Sequence, residues 1–170
     1  MPTVYLALGS NLGDRLATLR SALKGVLNNT DLTLSDMSAV YQTEPVGMAE
    51  GAPWFYNMVL VCDTTLLPQQ VLAHCQAVEA ALGRERCPEA SLPQNRTVDI
   101  DVLAYDELVV DTPELVLPHP RLAERAFVLV PLLEVNPAWC HPVLGQSVAQ
   151  LHLALPSLAR VELVGDLSVV

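Results

Sequence analysis

Hydrophobic residues change their spacing along this chain in a fixed order, and that order constrains the fold more than any single motif. Val4-Tyr5-Leu6-Ala7-Leu8 is a short apolar run ending at Gly9-Ser10-Asn11, the pattern of a buried strand and its turn. Leu12, Leu16, Leu19, Leu23 and Val26 then recur at helical spacing, with Asn11 as the expected cap and Asp14 three residues on, favouring the first turn. Strand character returns over 32–42, with Met37, Ala39 and Tyr41 on one face. After a loop whose Pro and Gly preclude regular structure comes a third strand over 55–63. There Phe55, Asn57, Val59 and Val61 share one face, and Tyr56, Met58, Leu60 and Cys62 the other. Pro68 opens a second helix and Gly83 closes it, around an apolar stripe of Val71, Leu72, Cys75, Val78 and Leu82. A fourth strand follows over 98–104. Strand, helix, strand, strand, helix, strand is the ferredoxin-like order, an α+β fold whose antiparallel sheet carries helices, expected here on one face.

The remainder reads as a C-terminal α/β extension: short strands near Leu108 and Leu115, helices over 125–135 and 148–155, and a strand at 160–164. With no repeat or linker, residues 1–170 are expected to form one domain. No basic-then-apolar leader and no apolar run of about 20 residues is visible, so the chain reads as soluble and cytoplasmic, without a membrane partner. The cysteines at 62, 75, 87 and 140 lack zinc-ligand spacing, and Cys62 and Cys75 read as core residues. A net charge of −10 argues against nucleic-acid binding on a basic surface. Yet Arg84, Arg86, Arg96, Arg121 and Arg125, five of the nine basic residues, fall between 84 and 125. Planar guanidinium groups suit bidentate phosphate recognition.

Asp99-Ile100-Asp101 is the sharpest chemical signal. On a strand, i and i+2 point to the same face, roughly 6.6 Å apart along the chain, while Val98, Ile100 and Val102 turn to the core. Two adjacent carboxylates repel unless a cation lies between them, and Mg²⁺ takes a few carboxylates together with substrate phosphates. An exposed acidic pair on a solvated sheet face explains the motif equally well. Arg96, three residues upstream, tips the balance toward phosphate chemistry over a salt-bridge network. Phe55 and Asn57 offer a stacking ring and an amide on one face, although a core Phe and a strand-ending Asn fit the same letters. His119, between two prolines, contacts a phosphate or base, or caps a turn.

Taken together, these landmarks resemble the 6-hydroxymethyl-7,8-dihydropterin pyrophosphokinases of folate biosynthesis. The likeness runs from Val4 to about Pro137 through Ala7-Leu8-Gly9-Ser10-Asn11-Leu12-Gly13-Asp14, Tyr41-Gln42-Thr43-Glu44-Pro45-Val46-Gly47, Phe55-Tyr56-Asn57, Gly83-Arg84, Arg96-Thr97-Val98-Asp99-Ile100-Asp101 and Pro118-His119-Pro120-Arg121. Such enzymes move the β,γ-pyrophosphoryl group of ATP to the pterin hydroxymethyl group and release AMP. The resemblance implies that Asp99 and Asp101 bind two Mg²⁺ ions, and that Arg84 and Arg96 contact the phosphates. Leu72, Gln76, Glu79, Arg86, Val102, His119 and Arg125 match the nucleotide side. Thr43, Val46, Phe55, Asn57 and Phe127 match the pterin pocket, with the ring stacked between Phe55 and Phe127. ATP and a reduced pterin are then the partners, and a monomer is expected.

The chain departs from the family pattern at Leu92-Pro93-Gln94-Asn95, where an aromatic is usual, in a longer 87–95 loop, at Glu44, and at Glu114 and Val116, which replace polar or basic contacts to ATP. Two other classes remain at this point. A regulatory module that binds nucleotide or pterin without turnover would account for the altered loop; a metal-dependent hydrolase would use the same acidic pair to activate water.

Overall fold

The computed structural model describes residues 1–44, 51, 53–83, 98–155 and 160–167. Its elements follow the expected order: β1 (Thr3–Ser10), α1 (Arg15–Leu27), β2 (Leu32–Met37), β3 (Val40–Thr43), β4 (Phe55–Thr64), α2 (Pro68–Ala81) and β5 (Asp99–Tyr105). The extension adds β6 (Val110–Asp111), β7 (Val116–Leu117), a 3-10 turn (Leu122–Glu124), α3 (Ala126–Val135), α4 (Val148–Leu153) and β8 (Val161–Gly165). The main sheet runs β5-β1-β4-β3-β8, with β2 also paired to β4, and every pairing in it is antiparallel. Each helical crossover therefore skips one strand: α1 leads from β1 past β4 to β2, and α2 leads from β4 past β1 to β5. This is the split βαβ arrangement that the sequence order predicts, an α+β fold with helices on an antiparallel sheet.

The single strand expected over 32–42 is two. At Ser38 the backbone ladder is interrupted, and the serine side chain stands in for it: the Val59 N–H donates to Ser38 Oγ at 2.9 Å, while the Ser38 N–H still reaches the Val59 carbonyl. The Ala39 N–H turns away to the Glu134 carboxylate. A helix-start expectation also needs correction. Asp14, not Asn11, caps α1: its carboxylate accepts from the Ala17 N–H at 3.0 Å, and the helix begins at Arg15. Asn11 is 2% exposed and spends its amide on the Pro53 carbonyl.

Period-two alternation lets both sheet faces be buried. Val4, Leu6, Leu8, Met58, Leu60, Cys62, Ile100 and Val102 meet Leu19, Ala22 and Val26 of α1 and Val71, Cys75 and Val78 of α2. The other face, with Tyr5, Val59, Val61 and Leu103, is covered by Val128, Leu129 and Leu132 of α3 and Val148 and Leu151 of α4. Helices on one face thus describes α1 and α2, while the C-terminal extension forms a second core. Cys62 and Cys75 are buried thiols as expected, and burial pushes their pKa values up to about 11 and about 12. Among the described residues, no helix is long and apolar enough to cross a membrane.

Candidate active site

The site grows out of the end of the sheet where β1, β4 and β5 run side by side. Strand alternation buries Val98, Ile100 and Val102 and leaves Asp99 and Asp101 half-buried on the opposite face. Register then builds one row across three strands and a second across four. Asp101 stands beside Ala7, which stands beside Val59; Asp99 stands beside Gly9, which stands beside Asn57 and then Tyr41. Two inter-strand spacings put the Asp99 and Asn57 backbones about 10 Å apart, with only Gly9 between them.

Gly9 has ordinary strand geometry, so its backbone does not require glycine. The space does. A Cβ built on Gly9 lies 2.8 Å from Asn57 Oδ1 and 3.9 Å from the Phe55 ring. Asn57 is 8% exposed, and its Nδ2 donates to Thr43 Oγ1 at 2.6 Å. Thr43, Phe55 and Asn57 therefore lie together beside Gly9. Phe127 stands half-buried at the start of α3, where the Arg125 guanidinium approaches its ring at 5.4 Å. Val46 lies outside the described residues.

On the outer side of β5, the sheet edge opens into a cleft of about 300 Å³. Leu72, Gln76 and Glu79 of α2 form one wall, Asp99 to Val102 the floor, and Pro113 to Val116 with His119 the other wall. Seven residues expected at a nucleotide and metal site thus line one cavity: Leu72, Gln76, Glu79, Asp99, Asp101, Val102 and His119. Glu114 and Val116, the departures noted above, line it as well. Arg84, Arg86 and Arg96, and the 87–95 loop, lie outside the described residues.

Two details bear on the chemistry. Glu79, 4% exposed, accepts the Ile100 N–H at 3.3 Å, so a buried carboxylate grips the edge strand between the two aspartates. His119 Nδ1 accepts the Arg121 N–H at 3.2 Å, and the His119 backbone N–H donates to the Leu103 carbonyl. The neutral ring consequently carries its proton on Nε2, where it is a donor. Burial, followed by the nearby Arg125 charge, lowers the His119 pKa against an opposing pull from Asp99. For a metal, the donors are the two β5 carboxylates, and among the described residues no cluster of three or more His, Cys, Asp or Glu exists. Two carboxylates open to a cleft suit Mg²⁺, which retains waters and takes its remaining ligands from phosphates, better than a cation held by an all-protein cage.

Sequence reading did not single out three contributors: Gly9 as open floor, and Asn11 and Arg15, which reach the backbone just before Phe55. Their roles depend on contacts across sequence gaps that no local pattern encodes.

A model of the family described as 7,8-dihydro-6-hydroxymethylpterin-pyrophosphokinase matches residues 5–137. The chain is 43% identical over 137 residues to 2-amino-4-hydroxy-6-hydroxymethyldihydropteridine pyrophosphokinase of Methylorubrum extorquens, covering 81% of this chain and 84% of that one. Identity to the protein of the same name from Bacillus subtilis is 40% over 131 residues, 77% of this chain and 76% of the relative. Among solved structures, Plasmodium falciparum HPPK-DHPS with pteroate superposes with a TM-score of 0.70 at 13% identity, over 89% of this chain and 44% of that chain. A structure of HPPK-DHPS in complex with substrates gives 0.69 at 12% identity, over 90% and 43%. The chain spans less than half of these structures, and at such identities they speak for the fold alone.

Proposed function

The chain belongs to the 7,8-dihydro-6-hydroxymethylpterin-pyrophosphokinase family, and from that premise we propose how its residues divide the work. It is an ATP-dependent diphosphotransferase of folate biosynthesis, moving the β,γ-pyrophosphoryl group of ATP to the hydroxymethyl group of 6-hydroxymethyl-7,8-dihydropterin. The observation that carries the assignment of roles is the register: acidic pair and Asn57 share one sheet face, on either side of Gly9, while the cleft adjoins the acidic pair from the sheet edge.

In this reading ATP lies in the edge cleft, its base against Leu72 and Val102, with Gln76 and Glu79 on the polar side. Asp99 and Asp101 hold Mg²⁺, two ions in the reading we favour. Held by those two carboxylates, Mg²⁺ would supply neutralising charge for the triphosphate. His119 presents its Nε2 proton to a phosphate oxygen, and Arg84, Arg86, Arg96 and Arg125 supply guanidinium groups. Across Gly9, the pterin edge meets the Asn57 amide and the Thr43 hydroxyl, with Val46 beside them and Phe55 and Phe127 on the ring faces. The hydroxymethyl oxygen then points back over Gly9 to the β-phosphorus, opposite the departing AMP. Transfer of this kind depends on alignment and electrostatics more than on covalent help from the protein. We take the chain to act as a monomeric cytoplasmic domain on two small molecules, without nucleic acid or membrane.

Incubation with MgATP and 6-hydroxymethyl-7,8-dihydropterin, followed by identification of the nucleotide product, tests the reading. AMP formed only when pterin is present supports it; ADP, or pterin-independent hydrolysis, refutes it.

A further inference from the structure

Phe55 opens β4, where the sheet continues on one side only. It pairs with Thr43 of β3, but on the other side the β1–β4 ladder stops one residue later, at Ser10 with Tyr56. There β1 gives way to the turn that leads into α1, and side chains from that turn and from the first residue of α1 replace the missing strand. Asn11 Nδ2 donates to the Pro53 carbonyl at 3.4 Å. Arg15 Nη1 donates to the Trp54 carbonyl at 2.8 Å. The same guanidinium lies over the Tyr56 ring, 4.0 Å from its centroid. Tyr56 itself packs against the core under α1 and α2, so Arg15 works from the sheet face opposite Phe55.

Arg15 therefore grips the residue before Phe55 and the residue after it. A planar guanidinium does this because it donates in its plane and stacks through its face at once; an ammonium does either, but not both in a fixed geometry. We propose that Arg15 is a positioning residue for the pterin site, holding Phe55 in place by clamping Trp54 and Tyr56, with Asn11 as its lesser partner. The inference rests on the reading above that Phe55 stacks on the pterin. Without the clamp, the start of β4 is ordered only when the ring binds, and that ordering weakens pterin binding while leaving the β5 edge cleft untouched.

Titration of 6-hydroxymethyl-7,8-dihydropterin in the presence of Mg²⁺ and a non-hydrolysable ATP analogue, titration of the analogue alone, and thermal melting separate the possibilities. Arg15→Ala should weaken pterin binding about tenfold, the scale of one lost charge-assisted hydrogen bond, with analogue affinity unchanged. Arg15→Lys should fall between Arg15→Ala and wild type. In a Phe55→Ala background, Arg15→Ala should add nothing, because it acts through that ring. Unchanged pterin affinity in Arg15→Ala, parallel loss of both ligands with a lowered Tm, or additive effects in the double variant would each overturn the proposal. Phe55→Ala with wild-type pterin affinity would remove the stacking reading itself, and the proposal with it. Weakened binding in Phe55→Ala but not in Arg15→Ala would remove only the proposal.

Discussion

Substituting Gly9 by Ala separates two accounts of why glycine occupies the central strand. In a strand with ordinary backbone angles, Ala should be the better residue, stabilising by about 0.5–1 kcal/mol through reduced entropy of the unfolded chain. The structure argues the opposite sign. The new Cβ would sit 2.8 Å from Asn57 Oδ1, where ordinary contact begins near 3.4 Å, so the amide must retreat by roughly 0.6 Å. Asn57 is buried and already tied to Thr43 at 2.6 Å, which leaves little room to give. Overpacking of this size costs about 1–3 kcal/mol, so the net loss of stability should be on the order of 1 kcal/mol. A displaced amide should also forfeit a hydrogen bond to the pterin edge, weakening pterin binding about fivefold to tenfold. Nucleotide affinity should hold, since Leu72, Gln76 and Val102 lie at the β5 edge, away from the Gly9–Asn57 contact. Urea denaturation and paired titrations of pterin and ATP analogue read all three quantities. A Gly9→Ala protein that is more stable than wild type and binds pterin normally would refute the spatial argument.

Asp101→Asn keeps the shape of the β5 face but removes one of the two proposed Mg²⁺ carboxylates; turnover with MgATP and pterin should fall on the order of 10²–10³-fold while unfolding remains cooperative. Leu60 is fully buried in the sheet core, and Leu60→Ala should cost about 2–5 kcal/mol, visible as a lower urea midpoint at unchanged m-value. A pH effect follows from His141, whose Nδ1 accepts from the Val143 and Leu144 N–H groups at 3.2 and 3.1 Å. Burial lowers its pKa in the folded protein, so the unfolded chain binds the extra proton first as pH falls below about 6.5. The stability this histidine contributes is full above that pH and is lost on acidification toward the folded-state pKa. Unfolding free energies at pH 7.5 and 5.5 should show a smaller drop in His141→Asn than in wild type, and an equal drop would count against burial of a neutral His141 as the source of the pH effect.

Much of this protein was legible in its letters because side-chain period reports local geometry directly. Alternation at 98–102 placed Asp99 and Asp101 together on one face and Ile100 and Val102 on the other; helical spacing in 68–82 put Leu72, Gln76 and Glu79 on a single wall. Pro68 and the positive-φ Gly83 bracket the second helix as helix-end chemistry demands. Where local reading failed, a distant partner had intervened. Ser38 breaks the second strand because its hydroxyl takes over a ladder bond from Val59, a pairing 21 residues away. Asn11 has the letters of a helix cap, but Pro53 claims its amide, and Asp14 caps instead.

The sequence by itself determined the order of elements, the two faces of β1, β4 and β5, and the acidic pair, each of which follows from neighbours within a few residues. At 32–42 it did not, since Met37 packs under α1 while Ala39 and Tyr41 turn to Glu134 on the other face. Tertiary structure alone decided that β1 separates Asp99 from Asn57 by the width of one glycine, and that the C-terminal helices close the second face of the sheet. It alone also decided that Arg15 supports the strand end at Phe55. Those facts depend on which strands pair and in what register, a choice made by burial of both sheet faces at once, and no local pattern contains it.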